Sequence, residues 1–481
     1  MANKGKGSVK INLFYNVAYQ LLLMITPLIT SPYISRVLGT DGLGIYSYTY
    51  SMASCFAMVG MLGVTNYGNR TIAAVQLDKN ERSKAFWNIF LLQIIATIIA
   101  LIAYIGYVVL CCPKEYISVS YIQILTVLCS MCDINWYFFG VEKFKLTVTR
   151  NAVVKVLNVV LIFLFVKNRT DTALYTLIIV GSLLVSNLLI WPFLKTEIIW
   201  VKPSFKELKK HLKPTLVLFI PIIAITLYNR MDKVMIGALS SMNQNGIYEN
   251  AEKIINIPKS LIAALGTVML PRMAFLFANG DRESANVYIE KSMELVCVSS
   301  SALMFGVAAI APEFAPWFFG KEFASAGKII IALAPTIFFV SWANVIRTQY
   351  LIPLQLDNIY IKSVWVGAIV NLIANIIFIP SKGAMGAAIG TDLAEFAVMF
   401  YQTLKVRKEL PIKKYIQDGS PYIVAGILMF LGVRGVSSYA REGALGVIIE
   451  ICVGGIVFCI ISLVVILKRY GGKMSKKLKR K

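Results

Sequence analysis

Charge is scarce in this chain. Only 15% of its 481 residues are Asp, Glu, Lys or Arg, while 57% are hydrophobic, and soluble domains carry about 25% charged residues. Together with a mean hydropathy of +0.69, this excludes an ordinary soluble domain and places the chain among polytopic membrane proteins. Acidic residues are the scarcer sign, 25 against 48 Lys and Arg. Histidine is reduced to His211 alone, which leaves a His-ligated metal centre or a His-centred triad without its parts. There is no Walker loop to cradle a nucleotide. The eight cysteines lie mostly inside apolar runs, as Cys55, Cys129, Cys132, Cys297, Cys452 and Cys459 do, without metal-ligand spacing. The expectation is a protein that is not an enzyme, holds no metal or cofactor, and does not itself bind ATP as its energy source. The apolar run from Ile11 is too long for a signal-peptide core and lacks a small-residue cleavage site, so the first helix is expected to remain in the mature protein.

What the chain has in abundance is apolar stretches of bilayer length. About fourteen can be drawn, beginning at Ile11, Gly42, Ala85, Tyr116, Ala152, Thr172, Leu212, Gly246, Val287, Gly327, Tyr360, Gly383, Ser420 and Ala444. Lys and Arg crowd alternate connections: Lys4, Lys6 and Lys10; Arg70, Lys79, Arg82 and Lys84; Lys143, Lys145 and Arg150; a run from Lys195 to Lys213; Lys405 to Lys414; and the tail ending Lys479, Arg480, Lys481. By the positive-inside rule these face the cytoplasm, with both termini inside and an even helix count. Topology thus accounts for the net charge of +23, and no nucleic-acid partner is expected. Residues Lys202 to Leu212 are expected to form a short amphipathic helix on the inner surface.

A faint internal repeat runs through the chain. Gly44, Ile45 and Tyr46 return as Gly246, Ile247 and Tyr248, with Gly39 and Gly237 upstream; Leu62 and Gly63 return as Leu265 and Gly266, followed by Arg70 and Arg272. Pro27 and Pro221 each fall in the first helix of their half. The common order argues for two bundles joined by the basic middle connection.

Polar residues recur where a bilayer least tolerates them. Phe219 to Leu239 carries Asn229, Arg230, Asp232 and Lys233 in an otherwise apolar segment. Tyr248, Glu252, Asn256 and Lys259 fall on one helix face, as do Asn151, Lys155 and Asn158. Asn12, Asn16 and Gln20, then Asn344 and Arg347, Asn371 and Asn375, and Asp392 and Glu395 mark further spans. A charge at mid-bilayer costs roughly 2.5 to 3.5 kcal/mol even on the lenient insertion scale, so these stripes are expected to face a polar lumen. A packing role stands beside that reading for Asp392, Glu395, Glu294 and Glu450, and snorkelling to the interface for Arg36 and Lys259. Tyr46, Tyr48 and Tyr50 read as packing or interface groups.

The opening from Ile11 to Arg70 resembles the polysaccharide-repeat-unit flippases called Wzx. The resemblance is carried by Pro32, Tyr33, Ile34, Ser35, Arg36, Val37, Leu38 and Gly39 leading into Gly44, Ile45 and Tyr46, then by Gly63 to Arg70. In the second half Tyr228, Asp232, Lys233, Met235, Ile236 and Gly237, followed by Gly246, Ile247 and Tyr248, are similar to the seventh-helix region of that family. The resemblance implies an all-α fold of the multidrug/oligosaccharidyl-lipid/polysaccharide exporter superfamily: two pseudo-symmetric six-helix bundles plus two C-terminal helices. On this chain that means residues 1–194 and 212–410 as bundles, 195–211 as a cytoplasmic basic linker, and 411–481 as the extra helices and basic tail. It further implies an undecaprenyl-pyrophosphate oligosaccharide as substrate, the bacterial cytoplasmic membrane as location, membrane lipids as surroundings, and a polysaccharide polymerase and chain-length regulator as partners. Arg36, Lys155, Arg230, Lys233, Lys253 and Arg347 would balance the pyrophosphate, and Asn158 and Asn371 would bond sugar hydroxyls. Asp232, Glu252 and Asp392 are the candidates for coupling to protons or sodium ions. Lipid II flipping, cation-coupled drug antiport and a noncatalytic scaffold of a glycan assembly complex are the alternatives.

Overall fold

The computed structural model describes residues 3–437 and 443–478, with the side chains of 3–21, 23 and 469–478 outside that description. The polar stripe of Asn12, Asn16 and Gln20 and the last basic residues therefore lie outside the described side chains. Among the described residues the regular structure is helical throughout, as expected where no water is available to hydrogen-bond an open backbone.

The first compact unit spans residues 1–246. It contains α1 (Asn3–Met61), α2 (Val64–Ala74), α3 (Lys79–Cys111), α4 (Ile117–Ile122), α5 (Ile124–Cys132), α6 (Asn135–Gly140), α7 (Phe144–Phe165), α8 (Thr172–Leu188), α9 (Trp191–Glu197) and α10 (Phe205–Leu239). α1 is 59 residues long and is broken at Gly39, whose φ of 70° only glycine adopts cheaply. At 1.5 Å per residue α1 is roughly 88 Å of helix, enough for two crossings. α10 packs on α1, α2 and α3, so the division at Gly246 lies one helix beyond the sequence-drawn boundary at 212. The expected amphipathic segment is helical from Phe205 and runs on without interruption into α10.

The second unit spans residues 247–481. It holds most of α11 (Met242–Ala278), then α12 (Arg282–Phe319), α13 (Ala326–Leu333), α14 (Pro335–Ile346), α15 (Asp357–Lys382), α16 (Ala384–Val406), α17 (Ile412–Ser437) and α18 (Ala444–Leu478). Among the described residues eleven helices pass as membrane spans by length and hydropathy. The expected fourteen also counts the two arms of α1 and the 23-residue α16, which are not among the eleven; α16 interrupts its apolar run with Asp392 and Glu395.

Two packing features of the first unit set its polar groups in place. An aromatic cluster of Phe86, Phe90, Trp136, Tyr137 and Phe138 fixes α3 against α6. At its edge Gln93 donates to the carbonyls of Ser130 (2.5 Å) and Asp133 (2.9 Å) and accepts from Trp136 Nε1 (3.0 Å). These bonds hold the helix break at Asp133–Ile134 open. The second feature is a close approach of the repeated glycines. A Cβ on Gly44 would stand 1.7 Å from the carbonyl oxygen of Met242, and one on Gly246 would stand 2.0 Å from that of Thr40. The first turn of α11 thus lies directly on the second arm of α1, with Asn243 Nδ2 donating to Thr40 Oγ1 (2.5 Å) and Asn245 Nδ2 to the carbonyls of Gly44 (3.3 Å) and Lys233 (3.1 Å).

Candidate functional site

In the first unit the break between α5 and α6 opens onto a cavity of about 270 Å³, lined by Tyr50, Asp133, Asn135, Asn151, Lys155 and Asn158 with residues of α8. Asp133 accepts from the backbone N–H and Nδ2 of Asn135 at 2.9 and 2.7 Å, which satisfies the donors freed by the break. Arg150 Nη2 donates to the side-chain oxygens of Asn135 (2.9 Å) and Asn151 (2.7 Å), and Ser186 donates to Asn151 (3.0 Å). The wall is therefore a hydrogen-bonded polar frame. Lys155 is half-buried and Asn158 is 7% exposed.

Arg230 on α10 reaches the same place through Tyr50, its guanidinium carbon 5.0 Å from the ring centroid. Tyr46 stacks on Tyr50 at 5.6 Å and meets Tyr175 edge-on at 4.9 Å. A cation lying on an aromatic face keeps its N–H groups in plane for an acceptor. Lys155 and Asn158 thus line one cavity, and Arg230 lies on the ring of Tyr50, which lines it as well. Asp232 and Lys233 are buried nearby in sequence on α10, at 5% and 6% exposure.

Arg36 lies apart, in an open cavity of about 640 Å³ shared with Tyr33, Lys167 and Arg169 and floored by Ile29, Pro32 and Val37. Tyr33 is held there by a 2.7 Å hydrogen bond to the Val166 carbonyl.

In the second unit the expected residues pair with one another. Lys253 meets Glu249 one turn earlier at 3.2 Å, Lys259 meets Glu395 at 3.9 Å, and Tyr248 shares a 2.9 Å hydrogen bond with Thr391. Arg347 donates to Asn344 (2.6 Å) and lies 5.5 Å over the Tyr360 ring. It opens a five-residue π-turn, Arg347–Leu351, a distortion that concentrates at functional sites. Asn371 accepts from Asn375 at 3.1 Å, both fully buried. Glu252 is half-buried, and Asp392 leaves Oδ1 without a hydrogen-bond partner. Among the described residues no group of three or more His, Cys, Asp or Glu is arranged to hold a metal ion.

Residues 9–277 match the family described as polysaccharide biosynthesis protein. The chain belongs to this family. Within the polysaccharide biosynthesis proteins, it is 22% identical over 354 residues to a putative O-antigen transporter of Escherichia coli K12, covering 73% of this chain and 85% of that one. It is 25% identical over 282 residues to a probable low-salt glycan biosynthesis flippase of Haloferax volcanii, covering 57% and 59%. In fold it is similar to the lipid II flippase MurJ in an inward closed conformation, with a TM-score of 0.74 at 15% identity over 95% of this chain and 99% of the other. This polysaccharide biosynthesis protein is a multi-pass membrane protein whose fold is similar to that flippase's.

Sequence reasoning missed Tyr50, Asp133, Asn135 and Arg150 as parts of the site. The signal for Asp133 and Asn135 was present, two polar residues interrupting an apolar segment. Arg150 was assigned to topology alone, and the tyrosines at 46, 48 and 50 carry no mark that distinguishes a platform from packing.

Proposed function

We propose that this chain is a flippase that moves undecaprenyl-pyrophosphate-linked oligosaccharide repeat units across the bacterial cytoplasmic membrane for surface polysaccharide synthesis, by alternating access through a cationic lumen. The observation that carries the reading is a cavity lined by Lys155, Asn135, Asn151, Asn158 and Tyr50, with Arg230 lying on the Tyr50 ring. Two cations fit a diphosphate, amides fit sugar hydroxyls, and the half-buried setting strengthens both interactions relative to water. The lipid tail stays in the bilayer, where the exposed Val153, Val156 and Leu157 of α7 offer it an aliphatic face.

Both termini lie in the cytoplasm in this reading, which sets Lys167 and Arg169 in an outer connection. The positive-inside rule gives no reason for cations there, and with Arg36 they form a release site for the headgroup on the far side. Asp232, Glu252 and Asp392 are the carboxylates available for coupling to protons or sodium ions. A polymerase and a chain-length regulator take over the product.

The test is depletion of the protein followed by leaflet-resolved measurement of lipid-linked glycan. Accumulation on the cytoplasmic leaflet, cleared by the wild type and by neither Arg230→Ala nor Lys155→Ala at verified expression and fold, supports the reading. If no lipid-linked glycan builds up and both variants behave as wild type, the reading fails. If it is lipid II that builds up, the substrate is the peptidoglycan precursor instead.

A further inference from the structure

α12, α17 and α18 carry a second set of charges, all within the second unit. Arg434 on α17 places Nη1 2.9 and 2.7 Å from the two carboxylate oxygens of Glu313 on α12, and 3.2 Å from the Ala309 carbonyl. Glu450 on α18 is at 0% exposure, with neither carboxylate oxygen hydrogen-bonded, and one turn further on a Cβ on Gly454 would stand 3.0 Å from Val433, the chain neighbour of Arg434. Glu450 belongs to the buried stripe of α18, with Val447, Gly454 and Phe458, whereas Leu445, Ile449, Ile451 and Ile456 are exposed. α17 and α12 are the helices packed against α18, and Arg434 and Glu313 are the charged groups they present to Glu450.

Two carboxylates and one guanidinium, all ionised, sum to one excess negative charge, and its buried member is Glu450, the side chains of Glu313 and Arg434 being each 33% exposed. A buried ionised carboxylate without hydrogen bonds costs several kcal/mol. One proton on Glu450 removes the excess without moving a helix. Packing alone does not explain the residue, since an apolar side chain of similar volume would fill the site at no such cost.

We propose that Glu450, Glu313 and Arg434 form a proton-binding site of this transporter, in which Glu450 carries an exchangeable proton while Arg434 holds Glu313. On release the O–H bond of Glu450 breaks, the electron pair stays on its carboxylate and the proton passes to water. The guanidinium, which has five N–H donors and spends Nη1 on Glu313 and Ala309, is then shared by two carboxylates. That draws α18 toward α17 and α12, so occupancy of the proton changes the packing of the two C-terminal helices. The site is separate from the coupling candidates Asp232, Glu252 and Asp392, and its test is independent of any glycan.

The experiment is infrared difference spectroscopy on the purified full chain in nanodiscs of neutral phospholipid. At neutral pH the wild type should show a protonated-carboxyl C=O band that E450Q removes, that fades as the pH is raised, and that weakens severalfold in E313Q, where Arg434 passes to Glu450. A spectrum in which the band is absent from the wild type, or unchanged in E450Q, overturns the proposal. So does a band that survives E313Q at full strength, and that variant decides the question alone should E450Q fail to fold. Exchange of choline chloride for sodium chloride should leave the band untouched; its loss on sodium addition overturns the proton in favour of a monovalent metal cation.

Discussion

Tyr50 carries one cation on its ring and shares a cavity with another. Arg230 lies on its face and Lys155 lines the cavity at its edge. If these groups hold a diphosphate, each contributes a charge-assisted interaction of about 1.5 to 3 kcal/mol. Arg230→Ala and Lys155→Ala should then each slow headgroup transfer about 10- to 100-fold, read as the initial rate at which labelled lipid-linked glycan crosses proteoliposomes. Arg230→Lys should recover only part of the loss, because an ammonium keeps the charge and lacks the planar fork. Tyr50→Phe should keep most of the rate and Tyr50→Leu should not; equal rates in the two would remove the ring from the mechanism. Lys253 belongs to a different case. Its charge is engaged by Glu249 at i−4, a spacing legible in the sequence, and Lys253→Gln should affect transfer less than either first-unit variant.

At the scale of the element, the contact of the first turn of α11, residues 242–246, on α1 rests on two missing side chains. Adding a methyl at Gly44 or Gly246 drives it into a backbone carbonyl, which no rotamer change relieves. Gly44→Ala and Gly246→Ala should each destabilise the protein by about 1 to 3 kcal/mol, the usual cost of overpacking, seen as a lower thermal unfolding midpoint in detergent; an unshifted midpoint would mean that residues 242–246 yield easily. The repeat exposed these glycines in the sequence, yet their reason is one that only the contact supplies. Helix starts are more local. Asp281 caps α12 by accepting from the Ser284 backbone N–H at 3.0 Å, and that bond holds its carboxyl below the ordinary range. Such a group stabilises the fold above its unfolded-state titration and loses that contribution as pH falls through the folded one. Asp281→Asn should keep most of the cap and flatten the acid side of the unfolding profile by a small amount, measured as midpoint against pH.

For the whole molecule, orientation is the quantity to test. If the N-terminus lies inside, α3 would leave the cytoplasm at Lys79 and end outside at Cys111, a free and exposed thiol. A membrane-impermeant maleimide should label Cys111 in intact cells, whereas a cysteine placed at Lys143 should react only after permeabilisation. The reverse pattern would invert the topology and move the Arg36 cavity to the cytoplasmic side.

The sequence by itself determined the class, the crossings and the charged residues that cannot face lipid, because hydropathy, loop charge and helical period are local properties summed along one segment. It marked Arg230, Lys155 and Asn158 for the same reason: each interrupts an apolar run. Only the tertiary structure decided which of these meet. Tyr50 becomes a platform, Arg150 a frame and Lys253 half of an ion pair through contacts that span helices or depend on rotamers. Glu450 shows the same division. Its place in an apolar helix is plain from the sequence, but its meaning depends on Glu313 and Arg434, more than a hundred residues apart from one another in the chain. Packing alone sets those three groups side by side.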